Sequence, residues 1–148
     1  MKGLSLFSGA GIGETFLHQC GIDIVVANEI IEKRANLYKA IYPQCNVVCG
    51  DITDTKIFDE VVSAATGVEF IIASPPCQGM SVAGKNRHQN TMVEDERNYL
   101  VKFVFKAIKI IKPKYVLIEN VPALLKIKRP RRALYSSEPI HTTTFIYH

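Results

Sequence analysis

Cys77 and Glu119 are the two side chains of this sequence best suited to covalent and proton-transfer chemistry. Cys77 sits in Ser74-Pro75-Pro76-Cys77-Gln78-Gly79-Met80-Ser81, where an apolar run ends in two prolines. Their rings fix φ and push the preceding residue towards extended backbone, so the thiol leaves the run along a defined path. A free cysteine is most often a small buried hydrophobe. In a stiff turn beside a ligand pocket it is instead placed to act as a nucleophile, once a helix end or a cation has drawn its pKa below about 8.5. Glu119 ends a second apolar run in Glu119-Asn120-Val121. A strand-end carboxylate is ordinarily solvated and idle. If the two runs are neighbouring strands, however, it faces the same substrate as Cys77, and the pair offers an acid and a nucleophile.

A second group has the character of a nucleotide pocket. Ser5-Leu6-Phe7-Ser8-Gly9-Ala10-Gly11-Ile12-Gly13 puts glycines directly between a strand and a helix, where backbone can approach a ligand and N–H groups face it. Alone, such a stretch also describes an ordinary turn. A dinucleotide fingerprint wants its third glycine one place later, where this chain has Glu14. Glu29, about twenty residues on at the end of the next strand, suits an acid that accepts hydrogen bonds from ribose hydroxyls. Asp51, after Gly50, adds a polar group at a third strand end, and an N-cap or turn carboxylate is its alternative.

These residues need a scaffold that brings strand ends together, and the patterning supplies one. Short β-rich apolar runs alternate with helix-period segments, which predicts an α/β fold: a doubly wound, mostly parallel, Rossmann-like sheet of about five strands. The expected strands are Gly3 to Phe7, Asp23 to Ala27, Asn46 to Cys49, Glu69 to Ala73 and Tyr115 to Glu119. Helices are expected through Phe16, Leu17 and Cys20, over Ile31 to Tyr42 before Pro43, and over Lys56 to Ala65 with Gly67 as its stop. A further helix, Glu94 to Lys112, carries acids in its first turn, Lys109 and Lys112 in its last, and Pro113 beyond. In such sheets the ligand lies outside the carboxyl ends of the strands, where Glu29, Asp51, Cys77 and Glu119 all fall. The polar stretch Gly79 to Met92 is long for a simple connection, and such loops carry function or move.

At 148 residues, 47% of them hydrophobic and 22% charged, the chain fits one soluble domain. No run approaches the roughly 18 apolar residues of a membrane span, and the N-terminus lacks a secretory signal, so a cytoplasmic or nucleoid-associated location is expected. Cys20, Cys45, Cys49 and Cys77 then read as reduced thiols, and no metal site is expected. The net charge of +4 is concentrated in Lys126, Lys128, Arg129, Arg131 and Arg132; without these five, 13 basic residues face 14 acidic. Attraction for a polyanion is thus expected near the C-terminus, with a lesser site at Lys85, Arg87 and His88. Periodicity fails after Leu125, which suggests a folded domain over residues 1–125 and a basic, poorly ordered tail over 126–148.

Taken in order, Phe7-Ser8-Gly9-Ala10-Gly11, Asn28-Glu29, Gly50-Asp51-Ile52, Pro75-Pro76-Cys77-Gln78-Gly79 with Ser81, Asp95-Glu96-Arg97-Asn98 and Glu119-Asn120-Val121 resemble the DNA cytosine-5 methyltransferases. The likeness runs from Lys2 to about Leu125, and the Pro-Pro-Cys-Gln block paired with Glu-Asn-Val is highly specific. It implies S-adenosylmethionine as cofactor and DNA as substrate, in the setting of a restriction-modification system. By this resemblance Phe7, Gly9, Ala10, Gly11 and Pro76 line the cofactor pocket. Glu29 holds the ribose, Ile30 packs on the adenine ring, and Asp51 with Ile52 contacts the adenine. Cys77 adds to carbon 6 of cytosine, Glu119 stabilises protonation of the ring nitrogen, and Asn120 supports the loop. Gln78, Ser81, Lys85 and Arg87 belong to the segment that closes over a base taken out of the duplex.

The family's arginine-bearing strand, target-recognition region and returning C-terminal segment have no counterpart here. A truncated enzyme, or one subunit of a split enzyme with a complementing C-terminal fragment, is therefore expected. The rival readings are a nucleotide-dependent oxidoreductase, a non-catalytic remnant or assembly subunit, and a methyltransferase acting on cytosine in RNA.

Overall fold

The computed structural model describes residues 1–76 and 100–119. Five strands form one wholly parallel sheet: β1 (Lys2–Leu6), β2 (Asp23–Glu29), β3 (Asn46–Cys49), β4 (Phe70–Ala73) and β5 (Tyr115–Ile118), in the order β3-β2-β1-β4-β5. The helices are α1 (Glu32–Ile41), α2 (Thr55–Ala64) and α3 (Val101–Ile111). The α/β class, the parallel sheet and the adjacency of the fourth and fifth strands agree with the sequence reading.

Alternation along the strands divides the core in two. Leu4 and Leu6 of β1, Val26 of β2, Val48 of β3, Ile71 and Ala73 of β4, and Val116 and Ile118 of β5 pack against α2 and α3 through Phe58, Val61, Val104, Ala107 and Ile108. The intervening residues Ala27 and Val47 turn to the other face and meet Ala35 and Tyr38 of α1. A sheet buried on both sides explains why its strands read as short, nearly continuous apolar runs. Among the described residues no helix is long and apolar enough to cross a membrane.

The structure moves several element boundaries. β1 stops at Leu6, because Phe7 leaves the strand at φ 58°, a left-handed conformation that a non-glycine residue seldom adopts. β2 runs on to Glu29, with buried Asn28 continuing the ladder. The helix expected after the glycine turn is only a 3-10 segment, Leu17–Cys20, ended by Gly21 at φ 72°. α2 begins behind Asp54, whose carboxylate accepts from the Lys56 amide at 2.7 Å. α3 ends at Ile111, and Lys112 beyond it takes the left-handed cap position at φ 53° and is followed by Pro113. The acidic first turn expected at Glu94, Asp95 and Glu96, and the stretch Gly79 to Met92, lie outside the described residues. So does everything beyond Glu119, including the expected tail.

Candidate functional site at the carboxyl edge of the sheet

Register aligns the strand ends: Leu6 lies beside Asn28 on one side and Ala73 on the other, and Ala73 beside Ile118. Backbone bonds carry the ladder a residue further. Ser8 N–H donates to Asn28 O, Gly50 N–H to Glu29 O, Ser74 N–H to Leu6 O and Glu119 N–H to Ala73 O, at 2.9 to 3.2 Å. The glycine turn, Glu29, Gly50-Asp51, Ser74-Pro75-Pro76 and Glu119 therefore leave the sheet along one edge. The chain order reverses between β1 and β4, and at such a switch point an open α/β sheet has its ligand crevice.

The glycine turn is shaped by two left-handed residues that do different work. Gly9, at φ 58°, has open space where a side chain would stand, and its N–H donates to Glu29 Oε2 at 2.8 Å. Gly11, at φ 81°, is crowded: an added Cβ would lie 2.4 Å from the Tyr42 ring and 3.0 Å from that of Tyr38. The Tyr42 hydroxyl donates to Gly11 O at 2.9 Å. Gly9 thus keeps its free face for whatever enters the crevice, while Gly11 is clamped from the C-terminal end of α1.

Glu29 is buried, and its second oxygen accepts from the Ile31 amide at 2.8 Å. Two backbone donors hold the carboxylate in place, and a carboxylate has about four lone-pair directions, so acceptor capacity remains for hydroxyls of a ligand. Ile30 beside it is 59% exposed, an apolar face presented to the rim. Asp51 Oδ1 accepts from the Thr53 amide at 2.9 Å, which makes it a turn carboxylate with its other oxygen outside that bond. Ile52 is turned into the core, so it could offer a ligand its backbone and not its side chain. Phe7 is half-buried against the same core, and Ala10 and Pro76 are half-buried at the rim. Glu119 is exposed, one strand spacing from the exit of β4.

The described residues therefore bring together Phe7, Gly9, Ala10, Gly11, Glu29, Ile30, Asp51, Pro76 and Glu119. Cys77, Gln78, Ser81, Lys85, Arg87 and Asn120 lie outside them. Three contributors carried no assigned role in the sequence. Asn28 donates through its amide to Val48 O and Gly50 O, both at 3.1 Å, and so ties the ends of β2 and β3 together. Its signal in the sequence was its place in the Asn28-Glu29 motif, which named no partner for the amide. Tyr42 and Ser5 act across 31 and 9 residues of sequence, and neither has a local signature. Of the other thiols, Cys45 is buried while Cys20 and Cys49 are exposed, and among the described residues no three ligating side chains gather as for a metal.

The order of these elements recurs in known proteins. The chain is 61% identical over 130 residues to Type II methyltransferase M1.HgaI of Avibacterium volantium, covering 86% of this chain and 36% of the relative. It is 33% identical over 125 residues to Type II methyltransferase M.XorII of Xanthomonas oryzae pv. oryzae, covering 82% and 28%. The chain thus spans roughly a third of the length of these relatives. Its fold matches a crystal structure of a prophage-encoded DNA modification methyltransferase from E. coli, with a TM-score of 0.65 at 26% identity, over 84% of this chain and 33% of that one. The model of the C-5 cytosine-specific DNA methylases matches residues 1–135, a stretch that takes in the glycine turn, Glu29, the proline exit and Glu119. With its motifs in that order on a parallel sheet of that topology, the chain belongs to the C-5 cytosine-specific DNA methylase family.

Proposed function

We propose that this chain carries the cofactor-binding and catalytic part of an enzyme that transfers a methyl group from S-adenosylmethionine to carbon 5 of cytosine in DNA. The observation that carries the reading is the shared edge: the glycine turn with Glu29 and the exits of β4 and β5 open on one switch point. The pocket chemistry fits the donor. Gly9 leaves room for it, the Glu29 carboxylate is held ready for ribose hydroxyls, Ile30 offers a flat apolar contact to adenine, and Asp51 offers an acceptor.

S-adenosylmethionine supplies an electrophilic methyl group on a sulfonium. An aromatic carbon attacks such a centre poorly, so the protein's residues first raise its reactivity. Cys77, as thiolate, adds to carbon 6 of the cytosine, and Glu119 stabilises a proton on the ring nitrogen, which gives carbon 5 enamine character. Carbon 5 takes the methyl group as its bond to sulfur breaks. Loss of the carbon 5 proton and departure of the thiolate then restore the ring. Asn120 supports the loop that carries this chemistry. Because the target carbons are hidden in a duplex, the base must leave the stack, and the segment with Gln78, Ser81, Lys85 and Arg87 closes over it. Selection of a target sequence and completion of the pocket belong to parts corresponding to the remaining two-thirds of the relatives, in the same polypeptide or in a complementing one.

The test is a covalent trap. The full chain, with S-adenosylmethionine and an oligonucleotide containing 5-fluorocytosine, is expected to form an adduct that resists denaturation, because fluorine at carbon 5 blocks the last elimination. Cys77→Ser is expected to abolish it, and supplying the C-terminal part of a relative is the arm to run if the chain alone gives little. An adduct that persists in Cys77→Ser removes Cys77 from the reaction. Preference for an RNA oligonucleotide of the same sequence would move the substrate class from DNA to RNA.

A further inference from the structure

Behind the glycine turn lies a buried polar cluster that the chemistry above leaves unused. Ser5 of β1 donates from its hydroxyl to Oε1 of Glu14, and both side chains are buried. Glu14 follows the turn immediately, so this bond ties the far end of the turn to the strand it has just left. From the other side come Tyr38 of α1 and Tyr42, the residue that caps it, whose rings lie 4.8 Å apart and form the wall against Gly11. Tyr42 is bonded to the Gly11 carbonyl. Tyr38 is wholly buried, and its hydroxyl has no hydrogen-bond partner among the described residues. Burial drives the Glu14 carboxyl above the usual carboxylate range, against the opposing effect of the Ser5 bond. It likewise pushes the neighbouring Cys45 thiol up to about 11.

An acid is not kept in such a place for solubility. A helix after a glycine turn ordinarily anchors it, but here only the short segment Leu17–Cys20 follows. A turn with glycines at positions 9, 11 and 13 has much backbone freedom to lose, so its shape has to be held by side chains. We propose that Glu14 is a positioning residue for the methyl-donor pocket: tied to Ser5, and with Tyr42 on Gly11, it holds the turn from behind so that Gly9 faces the crevice and reaches Glu29. This rests on the reading that the turn receives S-adenosylmethionine. Glu14 itself does not touch the donor; it lowers the cost of binding by pre-organising the turn.

Two measurements on the full chain test it: calorimetric titration with S-adenosylmethionine, and amide hydrogen exchange at Gly9 and Gly11 compared with Ile71 and Ala73 of β4. Glu14→Ala is expected to weaken binding about tenfold and to speed exchange in the turn but not in β4, the scale of one lost buried hydrogen bond. Glu14→Gln keeps the acceptor for Ser5 and should bind within about twofold of the parent. Ser5→Ala removes the same bond from the strand side and should reproduce the selective change, which keeps the test sharp if Glu14→Ala folds poorly. Exchange that rises equally in the turn and in β4, or Glu14→Gln as weak as Glu14→Ala, would overturn the brace. If the parent binds the donor and Glu14→Ala binds it equally well, the brace alone fails. If the parent does not bind it even with the C-terminal part of a relative supplied, the donor reading fails and takes the brace with it.

Discussion

Two glycines in one turn show how differently the same residue type can be used, and the difference is measurable. At Gly11 an alanine meets both a left-handed backbone and the Tyr42 ring 2.4 Å away. Strain of roughly 1–2 kcal/mol from the conformation and a comparable cost from overpacking give an expected loss of about 2 to 4 kcal/mol in denaturant unfolding of Gly11→Ala. At Gly9 the conformation is equally left-handed but the space is open. Gly9→Ala is therefore expected to cost the fold only about 1 to 2 kcal/mol. Its methyl group would stand on the free face of the turn, so the larger effect should appear as weakened S-adenosylmethionine binding. If Gly9→Ala unfolds the chain as readily as Gly11→Ala yet binds the donor normally, the two assignments have been exchanged.

At the scale of elements, α2 offers the cleanest local test. The Asp54 side chain caps its exposed first turn, and removing it in Asp54→Ala is expected to cost about 1 kcal/mol, read as a lower denaturation midpoint with an unchanged slope. Most of the layer plan was readable in the sequence, whereas the Asp54 cap carried no assigned role there. Each strand is a short apolar run, and Pro113 follows the cap of α3 directly, while α2 is capped at Ala65 with Gly67 two residues beyond at φ 80°. The expected helix after the glycine turn was misjudged because Phe16 and Leu17 imitate a buried face, whereas Phe16 is in fact 69% exposed. Phe7 was placed in β1 because its hydrophobicity fits a strand, and nothing local announces its left-handed backbone. In the site, Glu29, Asp51 and Glu119 could be found because strand ends locate them, and Ile30 only through the family resemblance. Asn28, Tyr42 and Ser5 could not be assigned, since their partners are reached only after the sheet has assembled.

For the molecule as a whole, the sheet's two faces differ in what they bury, and this sets a pH dependence. The face against α2 and α3 is filled by aliphatic and aromatic side chains, while the face against α1 also takes in the Ser5–Glu14 pair. The titratable groups facing Glu14 there are Tyr38 from α1 and Cys45 ahead of β3, with Tyr42 beside Tyr38; burial raises both Tyr38 and Cys45 above their ordinary values. Both are thus held in the neutral form while acids titrate, and neither adds a negative charge beside Glu14 there. A buried acid whose folded pKa is raised binds its proton more tightly in the folded chain than in the unfolded one. Stability from this group is fully present below the ordinary glutamate value, then falls as pH rises through the interval up to the folded value, because there the unfolded chain has released a proton that the folded chain keeps. Other carboxylates pull the opposite way, Glu69 beside Lys114 among them, so the contribution has to be isolated as a difference. Urea unfolding of the parent and of Glu14→Gln, followed from the acid side upwards, should give curves that separate with rising pH, the parent losing stability relative to the amide. Parallel curves would mean that the acid reaches solvent in the folded chain, and a parent that gains on Glu14→Gln as pH rises would mean that the carboxylate itself is the form the fold prefers.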